Sequence, residues 1–434
     1  MAQTYVKELS ELFSNKDGDS LVEYMYFVPS GSDDLALLQS QLRSVPDLEK
    51  LVDANFEADS NAVREFVVQY LILVKRHYNA QDYETLYAGF HEFFSSLVAA
   101  YNGPDAFWMS ALVRQLCQVL VQTAKKTDLQ HPVKLKDRKT QDAARQLTRV
   151  FNVMLSDRNP MPRSKKAMVL WAANQAFAIY FKSHTVRLCQ TFISNIETAG
   201  IQLSQYPKGQ QITYRYYVGR YYLFQHQLRK AEAELAYAFL HCPVASFENR
   251  RLCFLYLVAA RLPLGILPTQ DLLDKYQLSD QFTDLMNAIL AGNFIAFEQS
   301  LAATVAFHLK TGNYMILRER VQIITFRCLF RKVHLVTSSQ RLSFQDCLAA
   351  LKFSTGDNSY TLYDVESNLV SLIDQGYIKG YIAHDQQVVI LSKTNAFPQV
   401  DTVVRNESEN SAAEEQVFME TPFAGVDGAD SQWL

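Results

Sequence analysis

The sequence has no run of 18 apolar residues, and its opening MAQTYVKELSELFSNKDGDS carries acids and no uninterrupted apolar core. A membrane-spanning helix and a secretory leader are therefore not expected, and an intracellular setting is. No two of the six cysteines stand closer than Cys242 and Cys253, so CxxC and zinc-knuckle spacings are missing and reduced core thiols are expected. Also missing are a GxxxxGK[ST] phosphate loop, a GxGxxG after a strand, an HExxH and an HxH pair. His91-Glu92 opens like a zincin motif, but Ser95 stands where the second ligand belongs. With no nucleophile elbow either, the chain reads as a non-enzyme that needs no metal or cofactor.

What is present is core-forming material and locally segregated charge. The 434 residues are 48% apolar and 12% aromatic, enough for two or three domains with sizeable cores. Net charge is only −3, so any nucleic-acid or membrane contact has to come from a local patch. Lys125 to Lys166 holds twelve Lys/Arg against four Asp/Glu, whereas Asp401 to Leu434 holds eight acids against Arg405 alone.

Helical periodicity dominates. Tyr5, Val6, Leu9, Leu12 and Phe13 mark a short amphipathic helix, and the next fifty residues show little period. From Ala62 the chain reads as helices over Ala62 to Tyr78 and Tyr83 to Tyr101, then one begun by Asn102-Gly103-Pro104. KKTDLQHPVKLKDRK, Lys125 to Lys139, reads as an exposed basic loop. Helices resume over Gln141 to Leu155 and through the Trp171, Phe181, Phe192 and Ile196 stripe, with Gly200 as a C-terminal cap.

The stretch ITYRYYVGRYYLFQHQLRKAEAELAYAFLHCP, Ile212 to Pro243, has the offsets of one tetratricopeptide-type hairpin. Gly219 and Ala231 are small where two helices cross, Tyr222 fills the space beside them and Pro243 ends the second helix, while Arg215 replaces the usual leading tryptophan. Such a hairpin needs neighbours on both sides, which predicts a right-handed, solenoid-like stack of helical pairs. Tyr214, Tyr217 and Tyr221 in this stretch fit core packing, with an RNA-binding stripe as the alternative.

After Gly312 the pattern changes. Asn313 to Leu335 reads as one long buried helix, RLSFQDCLAALKF as a second with Ser343 as N-cap, and TLYDVESNLVSLIDQGYI as a third. Strand-like runs Tyr377 to Ala383 and Val388 to Ser392 follow, and three helices before a β-hairpin is the order of a winged helix. The fold class is thus mainly α, a TPR-like helical-repeat array running into a C-terminal winged helix. The expected divisions are 1–160, helical repeats with the basic loop; 161–312, further TPR-like repeats; 313–398, the winged helix; and 399–434, an acidic disordered tail.

A winged helix often reads DNA with its third helix, but Thr361 to Gln375 contains Asp364, Glu366 and Asp374 and no cation. Phosphates are repelled there, so Asp364 and Glu366 are candidate protein contacts. Candidate nucleic-acid contacts are Arg320, Arg327 and Arg331 on one face of the long helix, Lys379 and Tyr381 in the wing opposite Ile378 and Ile382, and Arg341, Lys352 and Lys393 around them. An aromatic set among cations suits non-sequence-specific single strands; the alternative for each residue is an ordinary solvated position or helix-end cap. Arg229-Lys230 and Arg250-Arg251 are candidate contacts to an acidic partner. Arg163-Ser164-Lys165-Lys166 and the basic loop are candidate import signals or nucleic-acid contacts.

The strings YRYYVGRYYLFQHQLRKAEAELAYAFLHC, LPLGILPTQDLLDKYQL, LRERVQIITFRCLFRKVHLV and QGYIKGYIAHDQQVVILSKTNAFP, within Lys165 to Pro398, resemble the PCI-domain family. Within it they are similar to the subunit of the nuclear mRNA-export complex and to its close relative, the signalosome-associated twelfth subunit. The resemblance implies a scaffold without catalysis, paired with a large export-scaffold subunit carrying its own PCI domain. It also implies a small acidic disordered subunit shared with the proteasome lid, and two winged helices side by side forming a surface for RNA or DNA. Nuclear localisation at the pore, with some cytoplasmic presence, and a role coupling transcription to export follow from the same resemblance. Membership of the signalosome as a protein platform is the alternative.

Overall fold

The computed structural model describes residues 2–403, apart from residue 26 and the stretches 28–32, 58–59, 79–81, 132–133 and 135–137. The acidic tail after residue 403 lies outside the described residues, as does the NAQD connection except for Asp82. The described residues form twenty α-helices and one three-stranded sheet, and none of the helices is long and apolar enough to cross a membrane. Two compact units divide the chain at 211/212, inside a helix, Lys208–Phe224.

The first unit holds α1 (Ala2–Ser14), α2 (Gly18–Tyr24), α3 (Asp33–Leu42), α4 (Leu48–Asn55), α5 (Asn61–His77), α6 (Tyr83–Tyr101), α7 (Ser110–Gln130), α8 (Lys139–Leu155), α9 (Val169–Lys182) and α10 (Cys189–Thr198). The stretch with little period thus contains three short helices. Asp47 starts one of them by accepting from the Lys50 amide at 3.1 Å, and buried Leu48, Leu51 and Val52 hold it. From α5 to α9 successive helices pack on each other, as short connections require. Phe66, Phe90, Phe93 and Leu97 fill the α5–α6 seam.

The basic loop begins later than the sequence suggests. Helix α7 runs on through Lys125 and Lys126 to Gln130 because Thr123, Ala124 and Thr127 are still on its buried face. The loop then returns to Asp128, whose carboxylate accepts from the Lys139 amide at 2.7 Å and the Thr140 amide at 3.0 Å. One aspartate therefore caps the start of α8 from the preceding helix. Lys165, expected as an exposed cation, is instead buried: its ammonium donates to the Gly103 carbonyl at 2.6 Å and lies 5.1 Å from the centre of the Tyr101 ring. His91 sits 2.8 Å from Gln146 and 3.3 Å from Asp142, which gives the half-zincin motif an intramolecular role.

Helix α11 is Lys208–Phe224 and pairs with α12 (Leu228–His241). The hairpin has the crossing the sequence anticipates: a Cβ on Gly219 would stand 2.6 Å from Leu235 Cγ. Tyr214, Tyr217 and Tyr221 are buried, so packing rather than an RNA stripe accounts for them. Arg215, in the slot of the missing tryptophan, lays its guanidinium 4.0 Å from the centre of the Tyr237 ring and pairs with Glu234 at 2.9 Å. A flat, delocalised cation thus does the packing of an indole.

The stack continues through α13 (Phe247–Arg261), α14 (Gln270–Lys275), α15 (Ser279–Ala291), α16 (Phe294–Ala303) and α17 (Val305–Thr311) into the long α18 (Tyr314–Thr337). After α18 come β1 (Arg341–Ser343), α19 (Phe344–Thr355), α20 (Leu362–Asp374), β2 (Gly380–Ala383) and β3 (Val388–Leu391). The sheet order is β1-β3-β2 and both pairings are antiparallel, which is the winged helix expected, with one more strand than the sequence disclosed. Ser343 caps α19 by accepting from the Gln345 amide at 3.1 Å.

Gly292 joins this module to the helical stack. It ends α15 with φ +62°, and a Cβ there would lie 2.7 Å from the backbone N and Cα of Leu329 on α18. Gly292→Ala is expected to destabilise the protein by about 2–4 kcal/mol, from left-handed backbone plus overpacking against main chain that has no rotamer to move. Urea denaturation of the full chain measures this.

Candidate functional site

Strand register decides what the winged helix presents. Arg341 faces Ile390 across β1–β3, and Tyr381 faces Ile390 across β2–β3, so these three side chains form one row on one face of the sheet. The next row, Leu342, Val389 and Ile382, points the other way, and Leu342 and Val389 are completely buried. The Arg341 row is therefore the solvent face, where Tyr381 is 64% exposed. Lys379 lies two residues before Tyr381 and is exposed as well, with its carbonyl accepting from the Ser392 amide at 2.8 Å. Lys393 follows in the exposed turn after β3.

Local bonds fix this face. The Arg341 guanidinium donates to Gln386 Oε1 in the wing turn, tying β1 to the tip of the hairpin. The Lys379 amide donates to the Ala396 carbonyl at 2.8 Å, so the chain leaving the wing folds back beside its start. No carboxylate pairs with Arg341, Lys379 or Lys393 among the ion pairs of the described residues.

The long helix behaves differently from the basic stripe its spacing suggests. Arg327 is buried; its guanidinium donates to the carbonyls of Pro398 at 2.5 Å and Phe397 at 3.3 Å, and desolvation lowers its pKa. It cannot touch a phosphate, which corrects the sequence reading. Arg320 is half-buried with Nε 3.4 Å from His226 Nδ1, and of the three only Arg331 is open to solvent. For Arg327 the reason is the segment after the wing, Phe397 to Val403, which crosses this side of the unit. Its Phe397 ring stacks on His334 with centroids 5.5 Å apart. Val400 fills the space beside Gly265, and Val403 lies against Gly376. Lys352 is half-buried at the end of α19 and close enough to Asp357 to contribute to lowering its pKa, after the Ser359 hydrogen bonds.

The residues expected to meet partners also have local work. Arg229 donates to the carbonyls of Asp401 and, at 3.4 Å, Val403, so it clamps the returning segment. Lys230 lies 5.4 Å from the Tyr222 ring centre and Arg250 5.1 Å from that of Phe239. Arg251 donates to the carbonyls of Tyr276 at 2.9 Å and Gln277 at 3.3 Å, closing the end of α14. Asp364 forms a capping box with Thr361, accepting from its amide at 2.7 Å; this hydrogen bonding lowers the carboxyl's pKa. Glu366 accepts from His384 at the wing tip at 2.7 Å and raises the His384 pKa.

Sequence reasoning missed the apolar part of the surface. Phe353 is 88% and Tyr363 79% exposed, and Val370 stands two turns beyond Tyr363 on α20. With Glu366 and Asp374 on the same helix and no cation, α20 presents an acidic, apolar face. The sheet presents a basic, aromatic one. The signal available was Tyr363 and Val370 standing outside the Leu362, Val365, Leu369, Leu372 stripe.

Helical pairs running into a winged helix whose third helix is acidic define the class: a mainly α, helical-repeat protein ending in a winged helix. Residues 268–393 match the PCI domain. A PCI domain-containing protein of Schizosaccharomyces pombe is 34% identical over 355 residues, 77% of this chain and 79% of that protein. The chain belongs to the PCI-domain family. PCI domain-containing protein 2 of Xenopus laevis is 38% identical over 263 residues, 60% of this chain and 65% of that protein. Enhanced ethylene response protein 5 of Arabidopsis thaliana is 27% identical over 410 residues, 92% of this chain and 95% of that protein.

Two measurements follow. Arg327→Met is expected to cost about 2–4 kcal/mol, because two carbonyls lose a charged donor in a buried setting; hydrogen exchange should quicken first at residues 397–403. For His384 the folded pKa is raised, so the stability from its pair with Glu366 is full below the unfolded value near 6.5. It is lost as pH rises through the folded value. An NMR titration of His384 should show a midpoint above that of the Glu366→Gln variant.

Proposed function

We propose that this chain is a non-enzymatic scaffold and nucleic-acid-binding subunit of a nuclear-pore-associated complex that couples transcription to mRNA export. The observation that carries the reading is the outer face of the wing sheet: Arg341 and Lys379 with Tyr381 exposed between them, Lys393 exposed in the turn beyond β3, and no carboxylate paired to these cations among the described residues. Cations neutralise phosphates and an exposed phenol ring stacks on a base, a combination indifferent to sequence. PCI-domain proteins are generally non-catalytic scaffold subunits, in keeping with this reading.

In this reading the partners are a large export-scaffold subunit with its own PCI domain and a small acidic subunit shared with the proteasome lid. The acidic, apolar face of α20, with Tyr363 and Val370, is the protein-facing side of the module. A second reading, a signalosome-associated platform without nucleic acid, is favoured by that same face, because exposed aromatic and apolar residues of this size mark protein contacts.

Binding of a fluorescent single-stranded RNA by the full chain, alone and with co-purified partners, separates the two. Contact with all three exposed cations of the wing gives a slope of log affinity against log salt of about −2, so the isolated chain binds weakly. Lys379→Glu with Lys393→Glu should flatten that slope by about 1.4. Tyr381→Ala should weaken binding by about 1–3 kcal/mol while leaving the slope in place. Absence of binding in every state, with signalosome subunits recovered in the pull-down, would establish the platform reading instead.

A further inference from the structure

The winged helix has two surfaces of opposite character, and the chain's last described residue lies beside the module. A Cβ on Gly376 would lie 3.5 Å from Val403 Cγ1, and Lys379 is three residues beyond Gly376, so the Cα atoms of Gly376 and Lys379 are at most about 11 Å apart. Arg229 holds the carbonyls of Asp401 and Val403, which fixes the point from which the remaining residues depart. Those thirty-one residues, 404–434, carry seven acids, Glu407, Glu409, Glu414, Glu415, Glu420, Asp427 and Asp430, against one cation, Arg405. They also carry Phe418, Phe423 and Trp433.

We propose that this acidic segment docks in cis on the outer face of the wing sheet, on Arg341, Lys379 and Tyr381, and on Lys393 in the turn beyond it, and competes there with nucleic acid. The competition clause rests on the nucleic-acid reading above; the docking does not. Reach is ample, because thirty-one residues extend to about 100 Å. Tethering supplies an effective concentration of about a millimolar, so even a weak contact is populated. Charge selects the face: the α20 surface, with Asp364, Glu366 and Asp374, repels the segment, whereas the sheet attracts it. The exposed Tyr381 ring and the Ile390 side chain beside it offer the segment's aromatic residues a partner. An RNA strand must displace the segment, so the same cations answer to two polyanions.

The test is lysine footprinting of the full chain with an amine-reactive acetylating reagent. It compares the native sequence with a full-length variant carrying Glu407→Gln, Glu409→Gln, Glu414→Gln, Glu415→Gln and Glu420→Gln. Lys379 and Lys393 are expected to label about threefold faster in the variant at low salt, with exposed Lys275 and Lys310 unchanged as internal standards. The difference should vanish at high salt. Equal labelling of Lys379 and Lys393 in the two proteins would overturn the proposal. Protection that grows with protein concentration would overturn its cis form and assign the occupant to a second copy. RNA affinity is measured on the same two proteins: about tenfold tighter binding by the variant supports the competition. Protection at the two lysines with no RNA binding by either protein would leave the docking standing and remove the nucleic-acid reading.

Discussion

The hydrogen bonds from Arg327 to the carbonyls of Phe397 and Pro398 are the constraint on which the second unit's architecture depends. A guanidinium taken out of water is tolerated only where acceptors meet it, and here they come from a segment seventy residues further along the chain. Placing that segment on α18 brings Val400 to Gly265 in the helical stack and Val403 to Gly376 at the base of the wing. One buried cation thus connects the stack, the long helix and the wing. Arg331, one turn further on, adds like charge that makes the acceptors more necessary.

Polarity is divided between the two surfaces of the winged helix by backbone arithmetic. On α20 the 3.6-residue period sends Val365, Leu369 and Leu372 inward and leaves Tyr363, Val370 and the acids outside. On the sheet the two-residue period sends Leu342, Val389 and Leu391 inward and leaves Arg341, Lys379 and Tyr381 outside. The two surfaces of the module therefore differ in chemistry, one acidic and apolar and the other basic and aromatic, with the core between them.

Much of this was legible in the sequence because it is local. The hairpin of α11 and α12 followed from small residues at its crossing, the cap of α19 from Ser343, and the repulsive character of α20 from its acids. The class of the fold followed from the change of period after Gly312. What was not legible depends on contacts distant in sequence. Arg320, Arg327 and Arg331 are spaced as one helical face, and no helical period tells which part of a face a returning segment will cover. Strand β1 is three residues long and owes its existence to pairing with β3. Lys165 looked like part of a basic string until Gly103 and Tyr101, some sixty residues earlier, were found around it.

The clamp on residues 397–403 also sets an order of events during synthesis. Helix α18 is made before the acceptors for Arg327, so the surroundings of that guanidinium are incomplete until residues 397 and 398 have been added. A premature stop that removes only the segment from Phe397 onward takes away less than a tenth of the sequence, yet it removes both carbonyl acceptors of Arg327 and the Val400 side chain beside Gly265. The stability of α18 is in this way tied to residues synthesised some seventy positions later.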